Sequence, residues 1–101
     1  MQFERLVEGH DQSRSLVVDT DVVRLILTRH GNVVSCVCEL RQPTQEGLEA
    51  LHRRGAVDSV FMISPKLAAR DFGAWLDRLL VEDLGADPDS QVRILEPELI
   101  H

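Results

Sequence analysis

Residues 22–41 read VVRLILTRHGNVVSCVCELR, two arms of alternating side chains joined by Gly31 and Asn32. The alternation has the period of two that is typical of half-buried strands, and Gly-Asn is a recognised two-residue hairpin loop. A turn at this position fixes the register, because a slip of one residue would send every apolar side chain to the opposite face. The segment therefore predicts an antiparallel hairpin whose strands cover 22–28 and 33–41.

The predicted register sorts the hairpin side chains onto two faces. On one face the predicted pairs are His30 with Val33, Thr28 with Ser35, Ile26 with Val37, Arg24 with Glu39, and Val22 with Arg41. On the other face they are Leu27 with Cys36, Leu25 with Cys38, and Val23 with Leu40. The second face is apolar and is predicted to form the core. The first face mixes apolar and charged groups, and the opposite charges of Arg24 and Glu39 predict a cross-strand ion pair.

The segments around the hairpin predict an α+β (mixed α/β) fold in a single domain over 1–101. A strand over 15–19 precedes the hairpin and completes a three-stranded antiparallel meander. The order α-β-α-β then follows, which predicts a mixed sheet with helices packed on it. Residues 1–13 are expected to form a short helix or an edge strand.

The second half of the chain carries clear start and stop signals for its elements. Thr44 is a suitable N-cap for a helix that ends near Arg54, with Leu48 and Leu51 facing the core and Gly55 as a left-handed C-cap. The unbroken apolar run in 57–63 predicts a strand covered on both faces, inside the sheet rather than at an edge.

A second helix and a last short strand complete the predicted order. Ser64 and Pro65 suit the start of this helix, and an apolar stripe follows at steps of three and four residues. A break near Asp71 and an end at Gly85 are expected, followed by a strand over 92–95.

The amino-acid composition limits the classes of partner that we expect for this protein. Lys and Arg number 11 against 17 Asp and Glu, so the net charge is −6 with neutral histidine. This acidic balance disfavours nucleic acid and anionic membranes as partners. No secretory signal is visible and no apolar run is long enough to span a bilayer, so we expect a cytoplasmic protein with reduced thiols.

The cysteines and histidines predict no metal site. Cys36 and Cys38 are separated by one residue in mid-strand, whereas structural zinc sites use longer spacings in turns and need two further ligands. We expect both thiols to pack in the core. The four histidines show no ligand spacing and are expected at the surface.

Asp21, Glu39 and Arg41 form the most chemically suggestive set. A carboxylate at the start of one hairpin strand and a Glu-x-basic pair near the end of the next could hold a divalent cation between oxygens. Their spacing and the strand order over 16–63 resemble the PD-(D/E)xK nucleases of the restriction-endonuclease-like group. The resemblance implies acidic ligands for Mg²⁺ and a catalytic lysine, but Arg41 stands at the lysine position and no proline precedes Asp21. The alternative is a solvated sheet face with a charge pair.

Ser64 and Lys66 form a second candidate site. If 57–63 is a central strand, its carboxyl end meets the N-terminus of the second helix, where backbone N–H groups bind anions. The simpler interpretation is that Ser64 caps the helix.

The leading hypothesis is a non-catalytic protein-interaction or assembly module, expected to be a homodimer without a cofactor. Ile26 and Val37 are its candidate interface residues, because they place apolar groups on the outer face of the hairpin. One alternative is the metal-dependent nuclease relative, with Mg²⁺ as cofactor. The other is an acidic inhibitor or immunity-type protein that binds a basic partner, whose association would be steeply salt-sensitive.

Overall fold

The computed structural model describes residues 15–89 and 91–95, with side chains described as far as Arg93. The described strands are β1 (Ser15–Asp19), β2 (Val23–His30), β3 (Val33–Leu40), β4 (Val60–Ile63) and β5 (Arg93–Leu95). They form one sheet in the order β4-β3-β2-β1-β5. The α+β class and the three-stranded meander are confirmed. The fold expected for 1–13 lies outside the described residues.

The prediction of a mixed sheet is wrong, because all four pairings in the described sheet are antiparallel. The chain leaves β4 at one edge of the sheet and returns as β5 at the opposite edge, where it runs against β1. The direction of β5 depends on where the helical segment between β4 and β5 ends. No residue of β5 itself specifies that direction.

The predicted hairpin register is confirmed at every pair from Val23 with Leu40 to His30 with Val33. Gly31 has φ +63°, and Asn32 is not among the residues with positive φ. A positive φ at the first central residue alone is the requirement of a type II′ turn, which only glycine meets without strain. Beyond the strand ends, the backbone N–H of Arg41 donates to the carbonyl of Val22 at 3.0 Å.

Helix α1 (Gln45–Arg53) starts and ends as its caps predict. The backbone N–H of Gly47 donates to Thr44 Oγ1 at 3.0 Å, and Gly55 follows the helix with φ +115°. Leu51 is buried, as expected, but Leu48 is 42% exposed, so its predicted place in the core is wrong. This short helix turns only the side that carries Ala50 and Leu51 towards the sheet.

The second helical segment consists of α2 (Phe72–Arg78) between two π-helical turns, Leu67–Asp71 and Leu79–Asp83. The break predicted near Asp71 is confirmed, since the backbone leaves helical geometry there with φ −113° and ψ 4°. Gly85, at φ +67°, follows the segment. The buried side chains of this helical segment share one core cluster with α1 and with one face of the sheet, which we call the inner face. Both helices therefore lie on the inner face.

The interior position predicted for the strand in 57–63 is wrong. β4 pairs only with β3 among the named strands and forms an edge of the described sheet. Phe61 and Ile63 point into the core, whereas Met62 between them is 61% exposed. An unbroken apolar run therefore marks here an edge strand with one face in the core and an apolar group on the other.

Candidate functional site

The outer face of the sheet, opposite the helices, carries a continuous line of apolar side chains. Directly paired residues place their side chains on the same face of a sheet. Val17 pairs with Ile26, Ile26 with Val37, and Val37 with Val60. An isolated bridge then pairs Val60 with Val57, which is 69% exposed. We call these five residues the apolar row; all of them are β-branched.

The turn that brings Val57 onto the apolar row is conformationally costly. Val57 and Val60 exchange two backbone hydrogen bonds of 3.0 Å around Asp58 and Ser59. Asp58 and Ser59 have φ of 52° and 63°, as a type I′ turn requires at both central positions. Neither residue is glycine, so the left-handed conformation costs roughly 1 kcal/mol at each position.

Two polar rows flank the apolar row on the outer face. Four residues at paired positions form what we call the charged row, namely Arg93 on β5, Asp19 on β1, Arg24 on β2 and Glu39 on β3. On the other side, Ser15, Thr28 and Ser35 occupy paired positions that we call the hydroxyl row, and the exposed apolar side chain of Met62 continues this line on β4. Within it Ser15 Oγ and Thr28 Oγ1 lie 2.8 Å apart, and Ser35 Oγ donates to the Thr28 carbonyl at 3.4 Å. An apolar strip with polar borders is the usual arrangement of a protein interface.

Arg24 and Glu39 lie directly opposite each other, but the predicted ion pair between them is not formed. No nitrogen of Arg24 comes within 4.0 Å of an oxygen of Glu39. Both side chains are exposed, so the small Coulomb gain in water does not offset the loss of side-chain freedom. Each chain therefore presents one positive and one negative group, side by side, beside the apolar row.

Asp19, between Arg93 and Arg24 in the charged row, is buried, and both of its carboxylate oxygens accept hydrogen bonds. Its side chain is 9% exposed, Arg41 Nη2 donates to its Oδ1, and Arg93 Nη2 donates to its Oδ2 at 3.1 Å. The two guanidinium groups join the end of β1 to β5 and to the residue after β3. Asp19 was not among the residues predicted from the sequence, where Asp21, two residues later, is the candidate carboxylate. The available signal was the even spacing that puts Asp19 on the same face as Val17.

The nuclease-like set is not assembled into a metal site. Arg41 Nε donates to the Thr20 carbonyl at 2.7 Å while its Nη2 holds Asp19, so its guanidinium serves the β1–β2 turn. Asp21 and Glu39 are exposed. Within 15–89 and 91–95, no group of three His, Cys, Asp or Glu residues could hold a metal ion. The nuclease alternative gains no support from this arrangement.

Ser64 and Lys66 lie at the start of the second helical segment. The Ser64 hydroxyl accepts from the backbone N–H of Leu67 at 3.1 Å, as its capping interpretation predicts. Lys66 is exposed, and neither Ser64 nor Lys66 lines the depression found beside α1. That shallow depression, of about 410 Å³, is lined by both ends of α1 and by Asp83 and Leu84.

Both cysteines are free and buried on the inner face, as predicted. The pKa of the Cys36 thiol is raised by a hydrogen bond with the Cys38 thiol, by burial, and by electrostatic repulsion from Cys38. A thiol held in its neutral form is a poor nucleophile and a poor metal ligand. Cys36 therefore acts as a core residue.

One contact on the outer face was not anticipated from the sequence. His30 Nε2 and Ser35 Oγ lie 3.1 Å apart, a spacing that also occurs in nucleophile–base pairs. His30 is exposed, as expected for a surface histidine, and neither residue lines the depression near α1. No described residue is hydrogen-bonded to the other ring nitrogen, so the pair lacks the third group that would orient the base. We interpret it as a cross-strand surface contact.

Comparison of the chain with protein-family models, with curated proteins and with solved structures gave no match. Among the helices of the described residues, none has the length and apolarity needed to cross a bilayer. The outer face is thus the feature of the described structure that best supports a functional proposal.

Proposed function

We propose that this protein is a non-catalytic assembly module that associates with a second copy of itself through the outer face of its sheet. The apolar row carries the proposal. It crosses four strands and ends on Val57, while both described helices cover the inner face. Burial of this row against an apolar surface removes it from water, which is the main driving force of association.

The row suits a second copy because it is complementary to itself. Its members on β1 to β4 are valine, isoleucine, valine and valine, so a row rotated end to end meets side chains of nearly the same size and shape. An isologous dimer needs this property, since the same patch must serve both subunits. Two such faces would stack about 10 Å apart, as the sheets of a β-sandwich do.

The size of the surface indicates a weak, reversible dimer. Five strand positions spaced about 4.8 Å apart give a patch roughly 20 Å wide, and the strands are of comparable length. Such a patch buries about 400–500 Å² per subunit, at the low end of specific interfaces. We expect a Kd on the order of tens of micromolar, because translational freedom and side-chain order are lost on binding.

Sedimentation equilibrium over a range of protein concentrations tests the proposal. The wild-type chain should shift from monomer to dimer, and Val37→Lys should remain monomeric because it places a charge at the centre of the apolar row. Leu48→Lys is the matched control, since it makes the same kind of change at an exposed site on α1 and should dimerise as the wild type does. A wild-type chain that stays monomeric at millimolar concentration would refute the proposal.

A second pair of variants guards against loss of folding in Val37→Lys. Val37→Thr and Ile26→Thr keep the β-branched shape and high strand propensity but add a hydroxyl. Each should retain a cooperative unfolding transition and dimerise more weakly than the wild type. Equal dimerisation of both variants and the wild type would rule out the apolar row as the interface.

The cytoplasm is the compartment that we propose for this activity. Cys36 and Cys38 are free thiols, which suits a reducing environment.

The net charge of −6 on each copy opposes close approach of two copies. Because salt screens that repulsion, association through an apolar row should persist at high salt. If the protein were instead an acidic inhibitor of a basic partner, high salt should weaken its binding, because salt screens the attraction between opposite charges.

A further inference from the structure

We infer that the two copies are related by a two-fold axis parallel to the strands, which sets Arg24 of each subunit against Glu39 of the partner subunit. This inference rests on the proposed self-association and goes beyond it, because it assigns the orientation of the second copy and the residues that select it. The observations that support it are the order of the three rows and the exposed charges of Arg24 and Glu39, which form no ion pair with the residues that the structure describes.

Two orientations would stack the apolar row on the apolar row of a second copy. If the two-fold axis runs along the row, across the strands, each charged row lies over the partner's hydroxyl row. Arg24 and Glu39 would then lose water against uncharged residues of the partner subunit, with no charge of the partner to meet either of them, which is costly. If the axis runs along the strands, each charged row lies over the partner's charged row.

The position of the axis follows from the overlap of the apolar rows together with the charges beside them. An axis between β2 and β3 stacks Ile26 on Val37 of the partner subunit and Val17 on Val60 of the partner subunit, so the four members on β1 to β4 are covered. The same operation brings Arg24 over Glu39 of the partner subunit, twice per dimer. Shifting the axis by one strand towards β1 leaves Val60 without a partner. An axis along β2 would instead set Arg24 against Arg24 of the partner subunit.

The charges available at these positions fit this pairing. Arg24 and Glu39 are exposed and form no ion pair with any residue that the structure describes. Asp19 and Arg93, the other members of the charged row, are already paired with each other, and Arg41 also holds Asp19. In the dimer Arg24 and Glu39 each meet an opposite charge of the partner subunit across the interface, and opposed charges of this kind fix register and orientation.

Charge reversal tests the orientation. In Arg24→Glu, residue 24 faces Glu39 of the partner subunit with like charge, and in Glu39→Arg residue 39 faces Arg24 of the partner subunit with like charge. Each variant alone should dimerise about tenfold more weakly than the wild type, because two attractive contacts become repulsive. An equimolar mixture of the two variants should form a heterodimer with an affinity near that of the wild type, since both cross-subunit contacts are again between opposite charges.

Sedimentation velocity with a fluorescent label on one variant measures the heterodimer directly. The double variant Arg24→Glu with Glu39→Arg should also dimerise like the wild type, and thermal unfolding should confirm that all variants fold. Failure of the mixture to recover affinity, or unchanged dimerisation of both single variants, would overturn the inferred orientation. The proposed function would survive that result if Val37→Lys still abolished dimerisation, and both would fall if the wild type did not dimerise.

Discussion

The two faces of one sheet in this protein are built from alternate residues of the same strands, yet they are very different surfaces. On the inner face, Leu25, Leu27, Val34 and Cys36 are completely buried under the helices. On the outer face, their immediate neighbours Ile26 and Val37 are only partly buried and lie between a charged and a hydroxyl row.

This difference indicates that the inner face determines the stability of the monomer and the outer face its association with a second copy. The inner face is committed to folding, because its side chains are buried in one core cluster with those of the helices. The outer face contributes less to the monomer and retains apolar area that a second copy can cover. Substitutions on the inner face should therefore change the free energy of unfolding, and substitutions on the outer face should mainly change dimerisation.

Leu25→Ala and Ile26→Ala, adjacent in sequence, should give the largest contrast. Leu25→Ala removes a buried side chain and leaves a cavity, so it should lower the free energy of unfolding by about 2–5 kcal/mol. Ile26→Ala should lower it by about 1 kcal/mol or less, because the site is already partly exposed. Urea denaturation below the dimerisation range measures both. Equal losses at the two positions would contradict the separation of the faces.

Asp19 is the exception on the outer face, because it is buried and bound by two arginines. Asp19→Asn should lower the free energy of unfolding by about 1–3 kcal/mol, since charge-assisted hydrogen bonds with Arg41 and Arg93 are lost. Asp21→Asn, the same change in an exposed turn residue, should stay within about 0.5 kcal/mol of the wild type. A similar response of the two variants would mean that Asp19 does not hold the sheet ends together.

The inner face should also have a distinct pH response through Cys36. Its pKa lies above the ordinary value of 9.0 when the protein is folded, so the unfolded chain releases a proton that the folded chain retains. The free energy of unfolding should therefore be unaffected by this thiol below about pH 9 and should fall above it, by at most about 1.4 kcal/mol per pH unit. Urea denaturation between pH 8 and pH 10 measures the slope. Cys36→Ala should reduce it, and an identical slope in that variant would contradict a neutral buried thiol.

The turn at Asp58 and Ser59 should give the smallest effect. Ser59→Gly removes the cost of a positive φ at a side-chain-bearing residue and should stabilise the monomer by about 0.5–1 kcal/mol. Gly31→Ala, in the other tight hairpin turn, introduces that cost and should destabilise by about 1 kcal/mol. Thermal unfolding of the Ser59→Gly and Gly31→Ala variants measures both changes in stability. Destabilisation by Ser59→Gly would show that the turn geometry is not the one described.

The sequence predicted the hairpin register because turn chemistry and alternation agree there. It did not predict the edge position of β4, since an apolar run of four residues has the same appearance in an edge strand and in a buried one. It also did not reveal the direction in which β5 joins β1, because that depends on the path of the helical segment between the sheet edges.

The candidate surface was only partly predictable for a related reason. Ile26 and Val37 could be identified within the hairpin, where the register was known. Val17 and Val60 could not be aligned with them until the pairing of β1 and β4 was established. Val57 joins the row through a turn in which two residues other than glycine have positive φ, and no residue-type rule predicts that conformation.

Amide and methyl chemical shifts over a dilution series test the central claim most directly. As the protein concentration rises from about 10 µM to 1 mM, which brackets the expected Kd, the resonances of Val17, Ile26, Val37 and Val60 should move together along one binding curve. Those of Leu25, Leu27 and Leu48 should stay in place, because the inner face and α1 are not at the interface. Concentration-independent shifts on the outer face, or shifts confined to the helices, would contradict the account.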